Sequence, residues 1–226
     1  MPQVHESVFL FDVDNTLLDN DRVSAALRKF LATEVGEERT VVYWKIFEDL
    51  RKELGYADYL GALQRYRADF PYDSHVLSVS TFLINYPFAN RLFPGSLDVI
   101  DYFRQYGPVV ILTDGDAVFQ PRKIERSGLG EAVEDNILIY IHKERELADL
   151  ERRYPANRYF LFDDKLRILS AIKEQWRDRV TTVWVKQGHY ALHDHENAKY
   201  PAADVVIDRI GDALEMELSV SKVNSK

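Results

Sequence analysis

Val8-Phe9-Leu10-Phe11-Asp12-Val13-Asp14-Asn15-Thr16-Leu17-Leu18-Asp19 is the stretch on which the reading of this chain turns. Its opening residues are large, apolar and without alternation, which predicts a strand buried on both faces. The run then breaks into two acids one residue apart, followed by turn-forming polar residues. In open α/β sheets, ligands bind at the carboxyl ends of the strands. Paired carboxylates there suit a divalent cation, which takes hard oxygen ligands. They also suit a nucleophile working beside a proton-transfer group. Alone, the pair does not separate these readings from a turn whose acids cap a helix.

Beyond this stretch the pattern changes period. Val23, Ala26, Leu27, Phe30 and Leu31 share a helical face, and Tyr43, Ile46, Phe47, Leu50 and Leu54 form a second stripe that Gly55 can close. Tyr59, Leu60, Leu63, Tyr66 and Phe70 make a third, stopped by Pro71, and Val76, Val79, Phe82, Leu83 and Tyr86 a fourth, stopped by Pro87. Four amphipathic helices in succession predict a compact helical unit inserted after the first strand. The charged and aromatic stretch Arg51–Tyr56 reads as solvated surface and packing.

Strand and helix then alternate. Ser96 is placed to cap a helix carrying Leu97, Ile100 and Phe103. The short apolar runs Val109–Leu112, Ile137–Ile141, Arg158–Phe162, Thr182–Val185 and Asp204–Asp208 read as strands. Between them a helix is expected from about Pro121, others around Leu147 and from Leu166 to Trp176, and a last one after Asp208. The alternation predicts a three-layer α/β fold on a parallel sheet with right-handed crossovers.

Composition narrows the function. A formal net charge of −8 argues against nucleic-acid binding, which needs clustered cations. The absence of cysteine removes disulfides, thiol nucleophiles and thiolate-held zinc. With no signal-like leader and no apolar run of membrane-spanning length, the expectation is a cytoplasmic protein without a membrane partner. No strand is followed by Gly-x-Gly-x-x-Gly, and the Walker phosphate loop is missing.

Four strand ends carry chemically matched groups: Asp12 with Asp14, Thr113, Lys143, and Asp163 with Asp164. A parallel sheet brings such ends to one edge. Together they suit a phosphoryl group: a hydroxyl and an ammonium for its oxygens, a carboxylate to attack, and acids for a cation.

In this arrangement the sequence resembles the haloacid dehalogenase superfamily, in the branch with a helical cap after the first strand. Asp12-Val13-Asp14-Asn15-Thr16 is similar to its Asp-x-Asp-x-Thr motif, Ile111-Leu112-Thr113 to its second motif, Lys143 to its third, and Phe162-Asp163-Asp164 to its acidic fourth. The resemblance covers nearly the whole chain. It implies a Rossmann-like α/β core of residues 1–18 and 90–226, an all-helical cap of residues 19–89, a small flap after Asp14, and a frayed tail at 219–226. It further implies a Mg2+-dependent phosphomonoester hydrolase with Asp12 as nucleophile and Asp14 as general acid and base. Thr113 and Lys143 would bind the phosphoryl oxygens. Asp12, the Asp14 carbonyl and Asp163 would hold the metal, with Asp164 as a further ligand.

The residue at position 14 discriminates within the superfamily. A halide leaves without a proton and an alkoxide does not, so Asp14 favours a small-molecule phosphoester substrate. A sugar phosphomutase keeps both acids, and a catalytically silent phospho-ligand binder is the non-enzyme alternative. Lys123 competes with Lys143 for the lysine role, and strand-end placement favours Lys143. Arg167 stands where many relatives carry another acid. The segment His189–His195 holds three imidazoles and an acid, which can bind zinc or nickel, but it reads as a polar loop.

Overall fold

Alternate residues of β1 (His5–Phe11) divide the protein interior in two. Phe9 and Phe11 belong to one apolar cluster and Val8 and Leu10 to the other, all four fully buried. That is the period-two signature of a strand covered on both faces. The structure, a computed structural model, describes residues 3–191 and 197–217. Around β1 the sheet adds β2 (Val109–Asp114), β3 (Ile137–Tyr140), β4 (Ala156–Asp163), β5 (Val180–Val185) and β6 (Val205–Ile207). All neighbours pair in parallel, in the order β3-β2-β1-β4-β5-β6. The order reverses direction beside β1, which opens a crevice at the carboxyl ends there.

Register decides what meets at that crevice. Phe11 pairs with Phe162 on one side and Ile111 on the other. The next residues, Asp12 and Asp163, therefore leave the sheet side by side, with Thr113 one residue beyond the level of Asp12. The Asp12 amide continues the ladder by donating to the Phe162 carbonyl at 3.0 Å. Below them, Phe11 stacks on Phe162 with ring centroids 4.2 Å apart, Phe9 on Phe160 at 5.0 Å, and Phe103 packs across both strands. This aromatic slab makes a rigid floor for the acids.

Between β1 and β2 run four helices: α1 (Asn20–Glu34), α2 (Glu37–Leu54), α3 (Tyr59–Asp69) and α4 (Val76–Asn85). Asp19 caps α1 through the Arg22 amide, Asp58 caps α3 through the Gly61 amide, and Gly55 ends α2 in the left-handed conformation. The flap is reduced to two bridges, Asp14 with Leu18 and Leu18 with Leu92. The core helices are α5 (Ser96–Arg104), α6 (Phe119–Ser127), α7 (Leu129–Ala132), α8 (Leu147–Arg153) and α9 (Leu166–Trp176).

Three local expectations are corrected. Ser96 does not cap α5: Gly95 takes the cap position, and the Ser96 hydroxyl instead donates to the Leu17 carbonyl at 2.8 Å, tying α5 to the flap. The segment after β6 is a 3-10 turn over Ile210–Glu215 rather than an α-helix. Helix α6 starts at Phe119, two residues ahead of Pro121, because Asp116 accepts from the Val118 and Phe119 amides. No helix among the described residues is long and apolar enough to cross a membrane. The tail from 218 onward lies outside the described residues, as do 192–196, which include His193, Asp194 and His195.

Candidate active site

Three carboxylates meet at the carboxyl ends of β1 and β4. Asp12, Asp163 and Asp164 each offer an oxygen, all within 4.8 Å of one another, and all three residues are buried. Such an arrangement is costly unless cations compensate it. Lys143 is one compensator. Its Nζ donates to Asp12 Oδ1 at 2.6 Å and to the Leu112 carbonyl at 3.1 Å, and lies 2.7 Å from Asp163 Oδ2. The Lys143 amide donates to Asp114 Oδ1 at 2.7 Å, which fixes the turn after β3 against the end of β2. Lys165, directly after the acid pair, supplies a second positive field to Asp12, Asp163 and Asp164.

These fields sort the carboxyls. Burial opposes ionisation of Asp12, but Lys143 and Lys165 outweigh it and hold the carboxyl below its ordinary value. Asp163 goes the other way: burial dominates and the neighbouring Asp12 adds to it, so its carboxyl is raised despite Lys143. Burial raises Asp164 further, only partly offset by Lys165. Burial likewise works against the Lys143 charge, yet Asp12, Asp163 and Asp114 push the ammonium above the usual lysine range. One carboxyl whose ionisation is favoured therefore sits beside two that ionise reluctantly.

Orphaned oxygens show what this cluster suits. Asp12 Oδ2 and both Asp164 oxygens are buried without a hydrogen-bond partner. Hard, unsatisfied carboxylate oxygens converging in one place match the donor set of Mg2+. The residues therefore fit the cation that the motif implies.

Asp14 is handled separately. Its carboxylate stands outside the three-acid group and lines the cleft, with Oδ1 held by Lys123 Nζ at 2.5 Å. Lys123 is fully buried on α6 and also donates to Asn20 Oδ1 at 3.2 Å. A hydrogen-bonded chain continues through Asn20 Nδ2 to the Tyr59 hydroxyl, and from there to Ser24. Burial pushes the Tyr59 phenol up to about 12, so it stays protonated as a linker. The two lysines that competed in sequence thus both sit at the site, Lys143 on Asp12 and Lys123 on Asp14. Thr113 is buried at the end of β2, its hydroxyl accepting from Gln120 Nε2 at 3.0 Å.

The loop after β5 closes one side. Asn15, at φ 62°, donates to Asp21 Oδ1 at 3.1 Å and accepts from the Asn20 and Asp21 amides. Asp21 also accepts from the His189 amide at 2.8 Å and meets His189 Nδ1 at 2.5 Å. Its carboxyl is held down, with half-burial opposed chiefly by the His189 and Asn15 hydrogen bonds. His189 therefore joins the helical insert to the core.

A cleft of about 770 Å³ lies between the insert and the sheet edge. Asp14, Asp114 and Lys165 line it on the core side, and Arg28, Trp44, Arg51 and Tyr56 on the other. Arg51, Gly55 and Tyr56 come from the stretch read as solvated surface and packing, and the surface they form is a wall of this cleft. Lys165, Asp114, Gln120 and Trp44 were not singled out in sequence. Lys165 had one available signal, its place directly after the acidic pair. The others depend on non-local packing.

The haloacid dehalogenase-like hydrolase family matches residues 7–153. The chain is similar to a haloacid dehalogenase-like hydrolase from Burkholderia xenovorans LB400, with 56% identity over 95% of this chain and 100% of that one, at a TM-score of 0.91. Two more distant structures share the fold. One is the HAD-hydrolase YfnB from Bacillus subtilis bound to magnesium, with 16% identity over 94% of this chain and 98% of that one, at a TM-score of 0.60. The other is the L-2-haloacid dehalogenase from Xanthobacter autotrophicus, with 17% identity over 94% of this chain and 98% of that one, at a TM-score of 0.60. Comparison with curated proteins yields no match.

Proposed function

Because this chain belongs to the haloacid dehalogenase-like hydrolase family, we propose that it is a Mg2+-dependent phosphomonoester hydrolase acting on a small phosphorylated metabolite. The observation that carries the reading is Asp14: a second acid at the cleft, outside the three-carboxylate group and held through one oxygen by Lys123. Cleaving carbon from halogen expels an anion that needs no proton, whereas expelling an alkoxide does. A dehalogenase has no use for such a group.

In this mechanism the Asp12 carboxylate attacks phosphorus. The bond from phosphorus to the ester oxygen breaks as the Asp12 oxygen-to-phosphorus bond forms. Asp14 gives its proton to the departing alkoxide, then takes one from the water whose oxygen attacks the aspartyl-phosphate. Phosphate leaves and the Asp12 carboxylate is restored. Lys143 keeps Asp12 ionised and in place, Thr113 and Lys143 would bind the phosphoryl oxygens, and Lys165 adds positive charge beside the acids. Asp12, the Asp14 carbonyl and Asp163, with Asp164 adjacent, would hold Mg2+, whose charge offsets repulsion between the acids and a phosphate dianion. The helices of residues 19–89 act as a cap that excludes water and selects the substrate. The magnesium bound to YfnB agrees with the cofactor.

The test is phosphate release from 4-nitrophenyl phosphate and a panel of metabolite phosphates, with and without Mg2+, by wild type and Asp12→Asn. Magnesium-dependent release that falls to background in the variant is expected. Halide release from 2-haloacids with no phosphate release from any ester would overturn the reading.

A further inference from the structure

We infer that the cap end of the cleft is a second anion subsite, so that the substrate carries a carboxylate or a further phosphate in addition to the phosphoryl group it loses; this rests on the phosphatase reading. A cleft of about 770 Å³ is in the size range that holds drug-sized ligands and far exceeds a phosphoryl group, so the substrate has a body reaching the cap wall.

The cap wall carries Arg28 and Arg51 with Asp21 and Glu48, but the pairing among them leaves Arg28 over. Of the acids lining the cleft, Glu48 is taken by Arg51 at 2.8 Å and Asp21 by His189. On the core side, Arg167 is engaged by Glu144 at 3.0 Å. Arg28 differs from these. Its guanidinium lies 4.4 Å from the centroid of the Trp44 ring, and it forms no ion pair with any carboxylate among the described residues. Arg28 thus stands beside the cleft as an exposed cation with no acid partner among the described residues.

The ring beneath it adds a second observation. Trp44 is 8% exposed and lines the cleft, so the ring under Arg28 is held in place by its own packing. Stacking orients the Arg28 fork, and planar guanidinium groups match carboxylate and phosphate oxygens. An anion at this end would meet the Arg28 cation, which the Trp44 ring supports from below. Arg51, whose Nη1 donates to the Tyr190 hydroxyl at 3.0 Å, closes the same wall.

The experiment uses matched chain-length series: alkyl phosphates of two to six carbons, their ω-carboxylated counterparts, and the α,ω-bisphosphates. Wild type and the variants Arg28→Met and Arg28→Lys are compared by kcat/KM. The same proteins are titrated calorimetrically with the corresponding alkyl and ω-carboxyalkyl phosphonates. At one chain length the wild type is expected to prefer the doubly anionic member at least tenfold. The preference should collapse in Arg28→Met, mainly through KM, and return in part in Arg28→Lys. Carboxylate against bisphosphate tells which anion the subsite takes. Equal kcat/KM within every matched pair, or an undiminished preference in Arg28→Met, overturns the inference while leaving the phosphatase reading intact. Absence of turnover with all three series, alongside phosphonate binding that depends on the second anion and on Arg28, refutes the phosphatase reading and supports the subsite. Binding indifferent to the second anion refutes the subsite.

Discussion

Replacing Asp164 by asparagine is expected to stabilise the metal-free protein at pH 8 and to weaken its response to Mg2+. Both Asp164 oxygens are buried without partners, and burial raises the carboxyl well above its ordinary value of 3.8. Lys165 offsets that only in part, and the charges of Asp163 and Asp12 add to it. A carboxyl whose folded-state pKa is raised contributes its stability fully below the unfolded value. It loses that contribution as pH rises through the folded value. The neutral amide keeps the shape and drops the charge. Leaving a buried polar group unsatisfied costs about 1–3 kcal/mol, more when it is charged. In a chain of this size each kcal/mol moves the melting temperature by about 2–4 °C. Asp164→Asn should therefore melt about 2–12 °C above wild type at pH 8 after chelation, and the gap should close as pH falls toward 4. With Mg2+ at about 100 times its dissociation constant, binding adds about 2.7 kcal/mol to the wild type. The variant, short of one donor, should gain less. Differential scanning calorimetry at pH 8 and pH 4.5, with chelator and then with Mg2+, makes the measurement. A variant that melts at or below wild type at pH 8 without metal would refute the reasoning, as would an advantage of the same size at both pH values.

Two other perturbations probe the surroundings of Asp14. Lys123→Met removes the ammonium that holds Asp14 Oδ1 at 2.5 Å. If that contact positions the proton donor, kcat/KM for alkyl phosphates should fall about 10²–10⁴-fold, the usual worth of general acid catalysis. The loss with 4-nitrophenyl phosphate, whose leaving group hardly needs a proton, should be at least tenfold smaller. A uniform loss would make Lys123 a structural residue only. Gly188→Ala tests the seam between the loop after β5 and the motif turn. Gly188 has φ +68°, and a Cβ there would lie 2.4 Å from the Asn15 Cβ. The strain should cost about 1–3 kcal/mol and lower kcat by shifting the residue next to Asp14. A melting temperature within a degree of wild type, with unchanged turnover, would contradict the close approach.

Much of the site was legible in the chain because its signals are local. A buried strand shows as an unbroken apolar run, and the polar residues that end it mark the sheet edge; Asp12, Thr113 and the Asp163-Asp164 pair were all found this way. Lys143 needed more. Strand-end placement pointed to it, but its contact with Asp12 depends on how the turn after β3 folds back onto Asp114. Helical spacing also found the insert, and it found Tyr43, Phe47 and Leu50 as a buried stripe of α2. It chose Ile46 and Leu54, which are only partly buried, and passed over Trp44. Periodicity locates one face of a helix and is blind to how many neighbours cover it; Trp44 is covered by edge contacts from Phe47 and Tyr59.

By itself, then, the sequence determined a parallel α/β sheet with a helical insert, and it identified the acids at the sheet edge, since each follows from residues adjacent in the chain. Only the tertiary structure decided that Lys143 and Lys123 serve different acids, that Lys165 adds a second cation to the cluster, and that Arg51–Tyr56 reaches a cleft. Those outcomes depend on distances between segments far apart in the chain, 131 residues for Lys143 and Asp12. Spacing along a chain encodes which way a side chain faces. What it meets there is set by register, crossover and packing.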